Sequence, residues 1–291
     1  MDYRLCQWGN YRIFGLSTYL IVPDQHAHYQ HDNRRADYLA QFIIDLKPDV
    51  VINMGDAADM PSLSDYDKGK RSFVGRSYKA DIDAHLEFQE RLWGPVKKTK
   101  KKMPYRVILE GNHEHRVERA LDYSPELAGT IGFSDYDFEH YYHEVVRYDG
   151  GLPGIYKSDG ILFAHFFPSG ISGRPLGGNS PARMMQLKNK VSCVAAHSHT
   201  LDLATERNID GRTVNCLVTG CYQDYVNDWA GPIGRFWRFG VSVLHNVRDG
   251  DFDYQWVSLS TLKKVYSEVP DQGEENGRPI EPSFEGLASE D

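Results

Sequence analysis

The chain has 291 residues, 41% of them hydrophobic and 25% charged. This is ordinary globular usage, which excludes a collagen-like chain, a coiled coil and a wholly disordered chain, and no apolar run reaches the roughly 18 residues that a membrane-spanning helix needs. The formal net charge of −8 is held mostly by residues 271–291, with seven acidic groups and one basic, so the rest is nearly neutral and neither requires nor excludes an anionic partner.

Residues 1–8 have no basic stretch leading into an apolar run, so no secretory signal is expected and the chain reads as soluble and cytoplasmic. The first predicted strand covers 18–23 and runs into Asp24-Gln25-His26. A helix is predicted over 32–46, where Leu39, Phe42, Ile43 and Leu46 share one face and Pro48 marks the stop. His28 and His31 lie between the two, as solvated or capping groups or as substrate contacts. A buried strand at 49–54 ends in Gly55-Asp56-Ala57-Ala58-Asp59.

Residues 65–102 read as a polar and aromatic insertion with helical spacing over 78–93 and a lysine-rich end at 97–102. That end is either a solvated loop or a footprint for a polyanion. Tyr66, Phe73 and Tyr78 are either core residues or rings for stacking on a base. The next strand, 105–110, delivers Gly111-Asn112-His113-Glu114, and a helix is predicted over 116–127. A strand at 161–164 stops at His165, and one at 191–196 stops at His197-Ser198-His199. Between them, 168–181 is a Gly- and Ser-rich loop, with Ser180 as N-cap and Pro181 in the first turn of a helix. Further strands are expected at 213–219, 241–247 and 254–259, with an antiparallel look. Four cysteines without a Cys-x-x-Cys pair read as free thiols in a reducing compartment. The organisation expected is one domain over 1–268, with a flexible acidic tail at 269–291.

Alternating strands and helices predict an α/β domain. Five strand-like runs in succession stop at Asp, Asn or His. Each motif alone is weak; their ordered joint occurrence is not chance. Sites in α/β sheets form at the carboxyl ends of strands, and imidazoles clustered there with carboxylates suit a pair of divalent cations.

This order of blocks resembles the calcineurin-like metallophosphoesterase superfamily: Asp-x-His, Gly-Asp-x-x-Asp, Gly-Asn-His-Glu, a lone His, then a small residue before His-x-His. Ala196 stands where that superfamily usually has Gly, and Gly220 matches a glycine common after a late strand. The Phe166–Gly170 loop and the Gly-Asn-His-Glu-x-Arg form are similar to bacterial-virus members. The resemblance implies a four-layer α/β/β/α sandwich of two mixed sheets and metal-dependent phosphoester hydrolysis. It implies one metal on Asp24, His26 and His199, a second on Asn112, His165 and His197, and Asp56 bridging both. His113 would be the general acid, oriented by Asp59. Arg116, three residues on, is a candidate clamp for a phosphate oxygen. An imidazole-rich ligand set suits manganese, iron, zinc or nickel better than magnesium or calcium.

The expected partner is a phosphoester, with nucleic acid or a nucleotide favoured by the lysine run and the aromatic insertion. A Ser/Thr phosphoprotein phosphatase is the alternative, weakened because Asp59 is followed by Met60-Pro61 where that branch has Arg-Gly. A non-catalytic binding module is a third reading, opposed by the complete ligand set.

Overall fold

The computed structural model describes residues 16–99, 102–268, 274–275 and 278–279; Cys6 and most of the tail expected at 269–291 lie outside the described residues. The first half alternates strand and helix. It runs β1 (Ser17–Val22), α1 (Arg35–Leu46), β2 (Val50–Asn53), α2 (Tyr78–Lys98), β3 (Tyr105–Leu109), α3 (Arg116–Tyr123), α4 (Phe138–Tyr141) and β4 (Glu144–Val146). The second half contains β5 (Tyr156–Ser158), β6 (Ile161–Phe163), α5 (Pro181–Asn189), β7 (Cys193–Ala195), β8 (Leu201–Arg207) and β9 (Thr213–Thr219). It closes with β10 (Gly240–Arg248), β11 (Asp251–Ser258) and α6 (Leu259–Val265).

Two mixed sheets result, in the orders β11-β10-β1-β2-β3-β4 and β5-β6-β7-β9-β8. Strands β1 to β4 are mutually parallel, as are β6, β7 and β9. In these two sheets the antiparallel character expected late in the chain lies in the β10–β11 hairpin, the β1–β10 pair and the edge strands β5 and β8, and a separate two-residue antiparallel pair joins Glu274–Glu275 to Arg278–Pro279.

Side-chain alternation along the strands builds the layers. In β1, Leu20 and Val22 join Leu39, Ile43, Phe88, Leu92 and Leu262 in the core under the helices. Tyr19 and Ile21 point the other way and meet Ile161, Phe163, Val194 and Leu217 between the sheets. On the outer side of the second sheet, Ala195 and Cys216 pack with Met185 of α5. The sequence is helix layer, sheet, sheet, helix layer. Near-continuous apolar runs such as Val50-Val51-Ile52 follow from this, since both faces of the inner strands are covered.

The segment 65–102 differs from the expected insertion. Most of it is α2, a core helix capped by Ser77, whose hydroxyl accepts from the Ala80 N–H. Trp93, Phe88 and Leu92 of α2 are fully buried. The departure from regular structure is shorter, three 3₁₀ turns between Pro61 and Phe73. The helix predicted at 116–127 stops at Tyr123 and continues as a separate 3₁₀ turn at Pro125–Leu127. Pro181 opens α5 as expected, but Asp202, not Ser180, accepts from the Ala182 N–H. Cys193, Cys216 and Cys221 are free and buried, and the first two face each other across β7 and β9 with sulfurs 3.3 Å apart. Among the described residues no helix is long and apolar enough to cross a membrane.

Candidate metal centre

Because β1, β2, β3, β6 and β7 run parallel within their sheets, the residues that follow them gather along one rim. Asp24, His26 and His199 form one cluster of ligand-type atoms within 4.8 Å of one another, and Asp56, His165 and His197 form another. Both draw on both sheets: Asp24, His26 and Asp56 follow strands of the first, the other three strands of the second. All but His197 are buried.

The backbone that presents them is unusual. Asp24, His26, Asp56, His197 and His199 have positive φ, at 26°, 45°, 51°, 66° and 59°. Non-glycine residues adopt this region at a cost, and its concentration in five of the candidate ligands marks a site whose surroundings enforce it. Two glycines allow the β2 and β3 loops to touch. A Cβ on Gly55, at φ 91°, would fall 2.7 Å from the Gly111 nitrogen, and one on Gly111 would fall 2.2 Å from the Asp56 nitrogen.

Glu114 clamps these loops together. Its carboxylate accepts from the N–H groups of Gly111 at 2.8 Å, Asp56 at 2.9 Å and Ala58 at 2.9 Å. Burial and the adjacent Asp56 charge push this carboxyl up to about 7, against those donors. The 222–225 turn and α1 hold the first loop from below. The Arg35 guanidinium, fully buried, donates to the carbonyls of Gln25, His26 and Tyr222, and the Tyr225 hydroxyl donates to the His26 carbonyl at 2.8 Å.

The donor set fits cations. His165 Nδ1 lies 2.9 Å from the Met54 carbonyl, which can only accept, so Nδ1 carries the proton there. Its Nε2 then faces Asn112 Oδ1 at 2.9 Å, His197 Nδ1 at 3.2 Å and Asp56 Oδ2 at 3.3 Å. Asn112 Oδ1 also lies 2.7 Å from His197 Nδ1. In the other cluster, His26 Nδ1 is bound to Asp59 Oδ1 at 2.8 Å, and its Nε2 faces His199 Nε2 at 3.1 Å. His199 Nε2 is in turn 3.5 Å from Asp24 Oδ1. A ring nitrogen fixed by a carbonyl or carboxylate, with the opposite nitrogen aimed at other lone pairs, is the arrangement of metal-ligating histidine. Burial works against a charged His165, yet the Asp56 carboxylate pushes its imidazole up to about 9. Burial and His165 push His197 down to about 4. Burial opposes ionisation of Asp56 as well, but His165 and His113 hold its carboxyl well below the usual range.

Asp56 is central: besides His165, its Oδ2 lies 3.9 Å from His26 Nε2 and 3.8 Å from His113 Nε2. Asp59 and His113 come together as expected, but by a different contact. The Asp59 carboxylate binds His26, while His113 Nδ1 lies 2.6 Å from the Asp59 backbone carbonyl and 3.4 Å from its Oδ1. Arg116 donates through Nη1 to the carbonyls of Asp59 and Met60, and its Nη2 lies beside His113.

A groove of about 610 Å³ opens beside His113, lined among others by Asp59, Arg116, Arg76, His28, His31 and Tyr225. Of the lysine run expected at 97–102, Lys100 and Lys101 lie outside the described residues, and Lys97, Lys98 and Lys102 do not line the groove. Lys97 and Lys98 end the 21-residue α2, roughly 30 Å along the axis from its start. Lys97 points at His140 and the Tyr141 ring. Of the insertion aromatics, Tyr66 is exposed, Tyr78 donates to Asp135, and Phe73 lies under Arg76. Glu114 stood in a motif read for its neighbours; Arg35 and Tyr225 had no local signal, being joined to His26 by tertiary contact alone.

Residues 17–218 match the family model described as calcineurin-like phosphoesterase. No curated protein matches the chain. Among solved structures, a conserved uncharacterized protein of Streptococcus pneumoniae, described as a predicted phosphoesterase, is 12% identical. That match covers 84% of this chain and 90% of the other, with a TM-score of 0.34. A Thermus thermophilus protein is 10% identical over 84% of this chain and 99% of its own, with a TM-score of 0.35.

Proposed function

This chain belongs to the calcineurin-like phosphoesterase family and is a metal-dependent phosphoesterase, and we propose that its substrate is a phosphodiester of a nucleotide or nucleic acid. The observation that carries the proposal is the groove. At about 610 Å³ it far exceeds a phosphoryl group, and its lining mixes cationic side chains (Arg76, Arg116, Lys70) with flat rings (His28, His31, Tyr225).

One cation would be held by Asp24, His26 and His199, and a second by Asn112, His165 and His197, with Asp56 shared. Manganese is the proposed metal, and iron, zinc or nickel suit the same nitrogen-rich set. Bound divalent cations supply water activation at neutral pH and neutralise charge developing on the phosphoryl oxygens. Asp59 keeps the proton of His26 on Nδ1, so that Nε2 is free to ligate. Glu114 sets the spacing of the Asp56 and Asn112 loops. His113 stands at the mouth of the groove with Nε2 accepting from Arg116 Nη2; when substrate arrives Arg116 turns that Nη2 to a phosphoryl oxygen, and the freed Nε2 takes up a proton from solvent and passes it to the departing oxygen.

The test is a substrate panel with the manganese-loaded protein: bis-p-nitrophenyl phosphate, p-nitrophenyl phosphate, single-stranded and duplex DNA, and a phosphoserine peptide. Turnover of the diester and of DNA or a nucleotide ester is expected to exceed that of the monoester and the peptide. Preference for the phosphopeptide would replace this reading with the phosphoprotein phosphatase, and preference for the simple monoester would confine the substrate to small phosphate esters.

A further inference from the structure

One wall of the groove is built as a flat platform. The His31 imidazole lies on the Tyr225 ring with centroids 3.6 Å apart and planes 6° from parallel. His28 braces both edge-on, at 5.1 Å from His31 and 6.0 Å from Tyr225. Its Nε2 is 3.7 Å from Asp59 Oδ2, and the Tyr225 hydroxyl holds the His26 carbonyl at 2.8 Å. The platform is therefore one side chain removed from the metal cluster and rigidly tied to it. Tyr225 covers one face of His31, while His31 as a whole is exposed and lines the groove. The uncovered face is thus open to whatever enters. None of the polar contacts that hold the two metal clusters together involves His31.

Resting on the diester reading above, we infer that the His31–Tyr225 stack is a nucleobase subsite, which takes the base of a nucleoside phosphodiester whose phosphorus lies at the metal clusters. Two rings stacked at this spacing continue as a third tier when a planar base lands on the open face, and such stacking tolerates any base because every base has a π-face. Burial, and then Arg35, hold the His31 imidazole below its ordinary pKa, so at neutral pH it offers a neutral ring. Arg76 and Arg116 line the same groove, so a nucleotide there would meet cationic groups as well as the ring. A phosphotyrosine peptide is the competing occupant, since its ring is also flat.

The experiment compares two esters with the same nitrophenolate leaving group, thymidine 5′-(p-nitrophenyl phosphate) and methyl p-nitrophenyl phosphate, on the manganese-loaded protein. His31→Ala is expected to lower the nucleoside-to-methyl ratio of kcat/KM by about 5- to 150-fold, through KM, the range one stacked base supports. His31→Phe is expected to restore most of it, because the ring and not its nitrogens does the stacking. Independently of turnover, quenching of 2-aminopurine riboside 5′-monophosphate fluorescence is expected with the wild type and His31→Phe and to be lost with His31→Ala. An unchanged ratio in His31→Ala, no quenching in the wild type, or a failure of Phe to rescue would overturn the subsite. A KM loss confined to a phosphotyrosine peptide would overturn it in favour of the peptide. If the wild type turns over neither ester, the diester reading itself falls; quenching then still reports on the platform alone.

Discussion

Arg116 Nη2 lies 3.0 Å from His113 Nε2. A guanidinium only donates, so Nε2 is the acceptor and the imidazole proton sits on Nδ1, where the Asp59 carbonyl takes it at 2.6 Å. His113 is thereby held by contacts on both ring nitrogens. The Asp59 side chain is left to serve His26.

His113→Ala is expected to leave metal content intact and to lower turnover about 10²- to 10⁴-fold, the usual contribution of a positioned acid. The loss should shrink for diesters with good leaving groups such as nitrophenolate, which depart without a proton. Elemental analysis and a series of leaving groups of graded basicity check this; an equal loss across the series would remove the acid role.

Asp56→Asn is expected to reduce occupancy of both clusters together. Asp56 Oδ2 stands 3.3 Å from His165 Nε2 and 3.9 Å from His26 Nε2, one in each cluster. Titration with Mn²⁺ followed by calorimetry should show two weakened sites. A single weakened site would mean that the carboxylate belongs to one cation only.

Glu114→Gln is expected to destabilise the fold by about 2 kcal/mol, the order of one lost hydrogen bond to a buried charged acceptor. The amide keeps one acceptor oxygen and turns a donor toward N–H groups that Glu114 now satisfies. Urea unfolding measures it. Metal affinity should fall alongside, because the Asp56 and Asn112 loops lose their tie; a stability loss with affinity unchanged would make Glu114 purely structural.

His85 gives an acid-side signature. It is buried on α2 against Tyr136 and Phe138, and burial holds its imidazole down at about 4 against an ordinary 6.5. The unfolded chain takes up this proton first, so stability is lost as pH falls from 6.5 towards 4, by up to about 3 kcal/mol from this group. His85→Phe is expected to flatten the difference between urea unfolding measured at pH 7.5 and at pH 4.5. An unchanged difference would assign the acid sensitivity to the carboxylates.

Much of the site was legible because it is local: each candidate ligand follows directly after a strand, so motif and strand end coincide in sequence. Val50–Asn53, Tyr105–Leu109 and Thr213–Thr219 fall within a residue or two of expectation because buried parallel strands read as unbroken apolar runs. The short edge strands Glu144–Val146 and Tyr156–Ser158 escaped notice, as three mixed residues carry no period. The helical spacing was read only over 78–93, yet packing of Trp93 and Val96 carries α2 through Gly94 and Pro95 to Lys98. The hold of Arg35 and Tyr225 on His26 joins distant parts of the chain and has no sequence signal.

Each candidate cluster takes members from both sheets, so the rim is a seam, and a cation in either cluster is a rivet through it. The apolar layer between the sheets is continuous from Tyr19 to Phe163 and Leu217, whereas at the rim imidazole nitrogens face one another, His26 against His199 and His165 against His197, and a cation between them would draw them together. Chelation should therefore loosen the molecule at one edge first, like a book opening from its fore-edge with the spine intact. Amide exchange would quicken around residues 24–26, 56–59, 112–114 and 197–199 while β1 and β9 stay protected. Reloading would close the seam with a gain that grows as RT ln(1 + [L]/Kd), about 2.7 kcal/mol at a hundredfold excess over Kd for each site.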